Sequence, residues 1–248
     1  MQTYIRVMLL SVLLMVLSTV LCGCWNYREI DKMSIVAGLA VDKSEDNQYS
    51  VTVEVVDIKG GADIRILPRT ITSHGETVFD TIRNTISLSG KRLFWSHTKV
   101  LILSKAIASD DIVKILDWYI RDSETRGEIN IIVSKESTAK EILESKAITD
   151  EVVSYKLNDM IEGEKSVSKA PIISIYDFIT DLAGNGISPI APVVSMEKSD
   201  SVKSPSINGC ALFAKSRLID FLDADDTKDL LFVRDMIKGG VLVQSENG

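Results

Sequence analysis

The sequence predicts an α+β fold with mixed sheets and packed helices, as an N-terminal region plus an incomplete C-terminal α+β domain. Three observations carry this reading. Apolar runs of strand length alternate with amphipathic stretches of helical period. In mid-chain, strand, helix and strand follow one another, which implies a crossover unit in a mixed sheet. Of 248 residues, 45% are hydrophobic and 25% charged, with only five Pro, a composition that excludes disordered and fibrous chains.

The elements follow in order. Ser34–Asp42 reads as a buried strand, and Tyr49–Val55 alternates apolar and polar residues like a half-buried one. The polar Ser44–Gln48 joins them as a hairpin. Lys59–Ser73, with Gly60, Gly61 and Pro68, reads as a loop with strand edges. A helix is expected over Glu76–Ser89, where Val78, Phe79, Ile82 and Ile86 share a face and Gly90 closes it. Lys99–Leu103 is a strand. The next helix starts near Asp110 and Asp111, with Ile112, Ile115, Leu116, Tyr119 and Ile120 as its core stripe. Glu128–Val133 is again a strand, and helices are expected at about 139–145, 150–162 and 174–183.

Pro189 and Pro192 bracket an extended segment. Ser199–Ser206 is small, polar and Pro-containing, and reads as a linker. The expected division is therefore 1–23, an N-terminal α+β region over 24–198, the linker 199–206, and the start of a second domain over 207–248. That last part holds strand-like runs at Gly209–Ala214 and Arg217–Leu222, a helical stretch around Thr227–Ile237 and a final strand at Gly240–Gln244.

Mean hydropathy is +0.14, high for a soluble chain, and much of the excess lies at the front. Arg6 and the amino terminus precede Val7–Leu21, fifteen residues interrupted only by Ser11, Ser18 and Thr19. A positive start followed by such a stretch is a secretory signal. It is short of the roughly 20 apolar residues of a spanning helix. Leu21-Cys22-Gly23-Cys24 resembles the bacterial lipobox, in which Leu21, Cys22 and Gly23 are read by the signal peptidase and the Cys24 thiol takes up diacylglycerol. An ordinary signal peptide or an uncleaved anchor is the alternative. On the lipobox reading residues 1–23 are removed and Cys24 becomes the acylated, palmitate-bearing N-terminus. Two or three acyl chains hold a protein stably where one does so only marginally.

Of the three Cys, only Cys210 would then remain a thiol, so the mature chain forms no internal disulfide. Its apolar setting, Ile207–Phe213, marks it as buried and structural. With 28 Lys and Arg against 35 Asp and Glu, the net charge is −7. This balance excludes nucleic acid as the main partner and leaves the attachment to a lipid bilayer to Cys24.

Chemistry-bearing patterns are weak. Two His leave little room for a His-based metal site. Ser96 and His97 are adjacent, and on a strand neighbours point to opposite faces, so they do not pair as nucleophile and base. Asp223, Asp225 and Asp229 fit the start of an EF-hand loop, but Lys228 and Arg234 stand where Gly and Glu are needed. A solvated turn is the better reading and a loose cation site the alternative. No enzyme, cofactor or metal is expected.

The residues also carry a resemblance. Gly23-Cys24-Trp25-Asn26-Tyr27-Arg28-Glu29-Ile30-Asp31 resembles the opening of the Ger(x)C family of spore germination lipoproteins. Ile35–Asp42 is similar to that family's first strand. Ser89–Val100, containing Phe94, Trp95, Ser96 and His97, is similar to its most recognisable internal segment, either structural or an interaction surface. Asn208–Phe213 with Arg217–Leu222 resembles the start of its C-terminal region.

The resemblance implies a non-catalytic C subunit of a germinant receptor, anchored by lipid on the outer face of the spore's inner membrane. It would work beside a membrane-embedded A subunit and a multi-spanning, transporter-like B subunit that binds the germinant. Members of the family run well beyond this length, so the resemblance also implies a C-terminally truncated product. The competing reading is an extracytoplasmic solute-binding lipoprotein of a transporter, which requires two lobes and a cleft.

Overall fold

The computed structural model describes residues 1–21, 33–59, 65–122, 124–145, 152–199 and 202–241. Two compact units are present, Met1–Lys32 and Met33–Gly248. In the first, helix α1 spans Gln2–Leu21. Its apolar part, Val7–Leu21, would cover roughly 22 Å at about 1.5 Å per residue, less than a hydrocarbon core of about 30 Å. Among the described residues, no helix is long and apolar enough to cross a membrane.

The second unit begins with a three-stranded antiparallel meander: β1 (Met33–Lys43), β2 (Tyr49–Lys59) and β3 (Arg65–Gly75). Helix α2 (Val78–Ser89) follows, then β4 (Arg92–Phe94), a 3-10 turn over Trp95–His97 and β5 (Val100–Leu103). Two helices, α3 (Lys105–Ser109) and α4 (Val113–Arg121), cross to β6 (Asn130–Ser134). Next come α5 (Lys140–Leu143), α6 (Val153–Gly163) and α7 (Ile175–Ala183). Strands β7 (Ile190–Ser199), β8 (Val202–Ala214) and β9 (Arg217–Leu222) precede α8 (Ala224–Val233).

The strands form one mixed sheet in the order β3-β2-β1-β5-β6-β7-β8-β9, with β4 beside β1. Its centre is parallel from β1 through β7, and both flanks are antiparallel. Helices cover both faces. Leu101 and Leu103 of β5 join the larger core with α2, α4 and α7, while Val100 and Ile102 join a second core with α5 and α6. This double burial is why β5 is apolar at every position and β6 at its three central ones. The α+β class with a mixed sheet is as the sequence predicts, and the strand–helix–strand crossover falls at β5-α3-α4-β6.

Several local expectations need correction. Arg65–Gly75 is a full strand and not a loop; Pro68 is tolerated because β3 lies at the sheet edge. β2 alternates as expected, yet its polar side is buried too: Thr52 bonds Thr72 at 2.9 Å and Glu54 reaches the start of α6. Residues 202–206, expected as linker, are strand. Ser199 pairs with Val202 and Met196 with Pro205, so β7 and β8 form a hairpin in the same sheet. The helix expected from Asp110 and Asp111 is α4, with Asp111 accepting from the Val113 N–H, and an unexpected short helix, α3, precedes it, with Ser104 accepting from the Ile107 N–H. Ile120, expected in the core, is exposed, and Trp118 takes its place. The strand expected at 240–244 lies largely outside the described residues, and Gly240 and Val241 are not strand.

Candidate functional site

The segment Arg92–Lys99 forms the wall between two grooves. β4 runs parallel to β1, pairing Leu93 with Ser34 and Phe94 with Ile35. The chain then makes one 3-10 turn, closed by the Thr98 N–H on the Trp95 carbonyl at 3.0 Å, before entering β5. Ser96 and His97 therefore stand on a turn and not on a strand, which corrects the geometry assumed from the sequence. A three-residue turn sends successive side chains roughly 120° apart, so this segment feeds different surfaces.

Trp95 turns inward. It is buried and meets Trp118 of α4 edge-on at 5.2 Å between centroids, while Trp118 meets Phe79 of α2 at 6.5 Å. Such edge-to-face pairs contribute about 0.5–1.5 kcal/mol beyond area burial. Above them lies the first groove, between α2 and α4, with a volume of about 570 Å³. Its floor is Ile82, Leu93, Trp95 and Trp118, and its rim carries Arg83, Arg92 and Arg121. Arg92 donates to Glu124 Oε1 at 2.6 Å and Arg121 to Asp117 Oδ1 at 2.7 Å.

Ser96 and His97 face the second groove, about 420 Å³, with Lys99, Arg126, Asn130 and Asn158. The Ser96 hydroxyl donates to the Glu124 carbonyl at 3.2 Å, and the exposed His97 ring lies 5.7 Å from Phe94. Each has its own contact. A third cavity of about 500 Å³ lies between α7 and α8, bridged by Arg234 on Asp181 at 3.2 Å. Among the described residues, no group of three or more His, Cys, Asp or Glu could hold a metal ion.

The remaining sequence-predicted residues are placed as follows. Cys22, Gly23 and Cys24 lie outside the described residues, and Leu21 ends α1. Cys210 is fully buried, and burial pushes its thiol up to about 12. Asp223 caps α8, accepting from the Asp225 and Asp226 N–H groups at 3.0 Å each, so the acidic cluster is a helix start. The first groove was missed by sequence reasoning. Its signal was present: Trp118 stands three residues after Ile115 on the α4 stripe.

Two buried acids, also missed, tie the second face together. Asp42 of β1 accepts from Ala139 N–H at 2.7 Å and Lys140 N–H at 3.0 Å, capping α5. Glu54 of β2 accepts from Val153 N–H at 3.0 Å, Ser154 N–H at 2.8 Å and the Ser154 hydroxyl, capping α6. Burial raises both carboxyls above their ordinary values, against the hydrogen bonds that lower them.

Fold and grooves together define an α+β module built on one mixed sheet covered on both faces. Residues 26–196, which contain the first two grooves, match the family described as Spore germination protein N-terminal domain. The chain belongs to this family, the Ger(x)C proteins. It is 24% identical over 245 residues to Spore germination protein KC of Bacillus subtilis (strain 168), covering 90% of this chain and 60% of that one. It is 26% identical over 237 residues to Spore germination protein B3 of the same strain, covering 92% and 62%. To Spore germination protein A3, also of that strain, it is 24% identical over 249 residues, covering 97% and 65%. The chain thus spans about three fifths of the length of these relatives. No solved structure matches it.

Proposed function

We propose that the protein is a lipid-anchored, non-catalytic subunit of a spore germinant receptor, taking part in nutrient-triggered germination beside the membrane A and B subunits. The observation that carries this reading is the match of residues 26–196 to the germination family, extended by relatives named as germination proteins across most of the chain. Cys24, at the lipobox that follows the apolar helix α1, is the attachment point, on the outer face of the spore's inner membrane. The non-catalytic role is supported by what Ser96 and His97 do: one holds a carbonyl and the other packs on Phe94.

The test is lipid labelling. The wild-type chain should incorporate an alkyne-tagged palmitate and sediment with membranes, whereas Cys24→Ala should lose the label and move to the soluble fraction. A thiol count checks the same step: the processed protein should show one thiol, Cys210, and only after denaturation. Label and membrane fraction unchanged in Cys24→Ala would overturn the anchor. A strain lacking this gene and its paralogues that responds normally to nutrients would overturn the receptor role.

A further inference from the structure

The chain carries the dipeptide Asn-Gly at Asn185-Gly186 and at Asn208-Gly209, and a third, Asn247-Gly248, lies outside the described residues. Asn is a thermolabile residue. Its side-chain amide can be attacked by the backbone nitrogen that follows it, and Gly, having no Cβ, hinders that attack least. By sequence the pairs at 185 and 208 are equal; the fold separates them. Gly209 is buried within β8, and its N–H donates to the Lys169 carbonyl at 3.0 Å. Its flanks Ile207 and Cys210 are paired with β7, and a Cβ there would lie 2.4 Å from the Leu222 carbonyl oxygen. A nitrogen so engaged does not turn onto Asn208. The Asn208 Oδ1 is moreover buried with no partner, so an acid in its place would bury a charge.

Asn185 stands in the opposite setting, on the connection from α7 to β7, where Gly184–Ser188 are all exposed. Among the described residues, neither its side chain nor the Gly186 N–H makes a hydrogen bond. Gly186 has φ 84°, and a Cβ built on it would meet nothing within 4 Å. The attacking nitrogen is therefore unspent, unobstructed and in water. A segment with no backbone hydrogen bonds of its own rearranges at little cost.

We propose that Asn185 is a site of spontaneous deamidation, with water as the co-reactant, and that the fold protects Asn208. The Gly186 amide gives its proton to hydroxide, and its nitrogen bonds to Asn185 Cγ. The Cγ–Nδ2 bond then breaks, ammonia leaves with a proton taken back from water, and a succinimide remains. Water opens that ring. Breaking the imide bond at Cγ leaves an aspartyl residue; breaking the bond at the main-chain carbonyl carbon leaves an isoaspartyl residue with one more methylene in the backbone. Nothing is oxidised or reduced. Either product makes the chain one unit more negative than −7 and puts a carboxylate near Ile187, which lines the cavity between α7 and α8. This rests on the α7–β7 connection and not on the lipid anchor or the receptor role.

The experiment holds the purified full chain at neutral pH in heavy-oxygen water, then digests it with trypsin in ordinary water and weighs the peptides. Residues 170–198 carry Asn185 as their one Asn, and residues 204–215 carry Asn208 as theirs. In the folded chain, 170–198 should lose its amide, gain one heavy oxygen and accept methyl groups from an isoaspartyl methyltransferase. It should convert at least tenfold faster than 204–215, and faster still as pH rises. In urea the two peptides should convert at rates within about threefold of each other, since protection lies in the fold. Asn185→Gln should slow conversion of 170–198 at least tenfold, because its longer side chain closes a less favourable ring. Equal rates in the folded chain, or an intact 170–198 once the unfolded chain has converted, overturns the proposal. So does a difference that persists in urea, or heavy-oxygen uptake undiminished in Asn185→Gln.

Discussion

Glu54 shows how much one side chain organises. Only 2% exposed, it is a carboxyl on the polar side of β2 whose acceptors are all directed at the first turn of α6. A helix start has unpaired N–H groups and a partial positive charge, and a carboxylate there satisfies both. Gln in its place offers one acceptor oxygen to three donors, so Glu54→Gln should cost about 1–3 kcal/mol. The pH dependence follows from burial. Because desolvation raises the folded carboxyl above its ordinary 4.5, the folded state holds the proton more tightly than the unfolded one. That contribution is complete below about pH 4.5 and is lost as pH rises through the folded value. Urea midpoints measured upward from pH 4.5 should therefore show a decline in the wild type that is smaller in Glu54→Gln. Parallel curves would count against it. Asp42, raised in the same direction, contributes the remaining slope in both proteins.

At the scale of elements, the contact between α6 and β1 depends on an absent side chain. A Cβ on Gly38 would lie 2.2 Å from Ser154 Oγ and 2.8 Å from Val100 Cγ2, far inside contact distance. The missing methyl lets the α6 start approach the sheet closely enough for Glu54 to reach it. The strand also shifts register between Val36 and Gly38, which re-aims the chain at this spot. Gly38→Ala should destabilise by about 1–3 kcal/mol through overpacking. Hydrogen exchange should quicken at the Val153 and Ser154 amides more than at Leu101 in β5. A change under 0.5 kcal/mol with unaltered exchange would show that α6 does not approach as described. Helix α2 is a simpler case, legible from its residues: Thr77 accepts the Asp80 N–H at 3.1 Å, and Gly90 closes it at φ 66°, where a side chain is strained. Its buried face is nevertheless Val78, Thr81, Ile82 and Thr85, since Ser73 of β3 bonds Thr85 at 2.7 Å and draws the hydroxyl side inward. That rotation leaves Phe79 and Ile86 for the groove.

For the whole molecule, the continuity of the sheet sets the expected unfolding behaviour. The sequence suggested two domains divided near 199–206, but β7, β8 and β9 extend the sheet that begins with β3, and Cys210 and Phe213 of β8 join the same core as Leu39 of β1. Packing shared across the proposed boundary couples the two sides. Urea unfolding of the unit from Met33 on should therefore be one transition, with near- and far-ultraviolet circular dichroism coincident. Two separated transitions would restore the division.

The sequence by itself determined what depends on neighbours along the chain: the apolar stretch and lipobox-like run before Cys24, the hairpin of β1 and β2, the helix of 78–89 with its stop, the strand–helix–strand centre and the family resemblance. These are readable because side-chain period, capping and turn chemistry act over a few residues. Only the tertiary structure decided the rest. Pro68 and residues 202–206 have the composition of loops and became strand because pairing with β2 and β7 satisfied their backbone groups. Glu54 and Ser154, 100 residues apart, look like ordinary surface positions until the fold joins them. The α2–α4 groove likewise takes its floor from α2, β4, the 3-10 turn and α4; the stripe that carries Trp118 is legible along the chain, but only long-range packing sets it beside Ile82, Leu93 and Trp95.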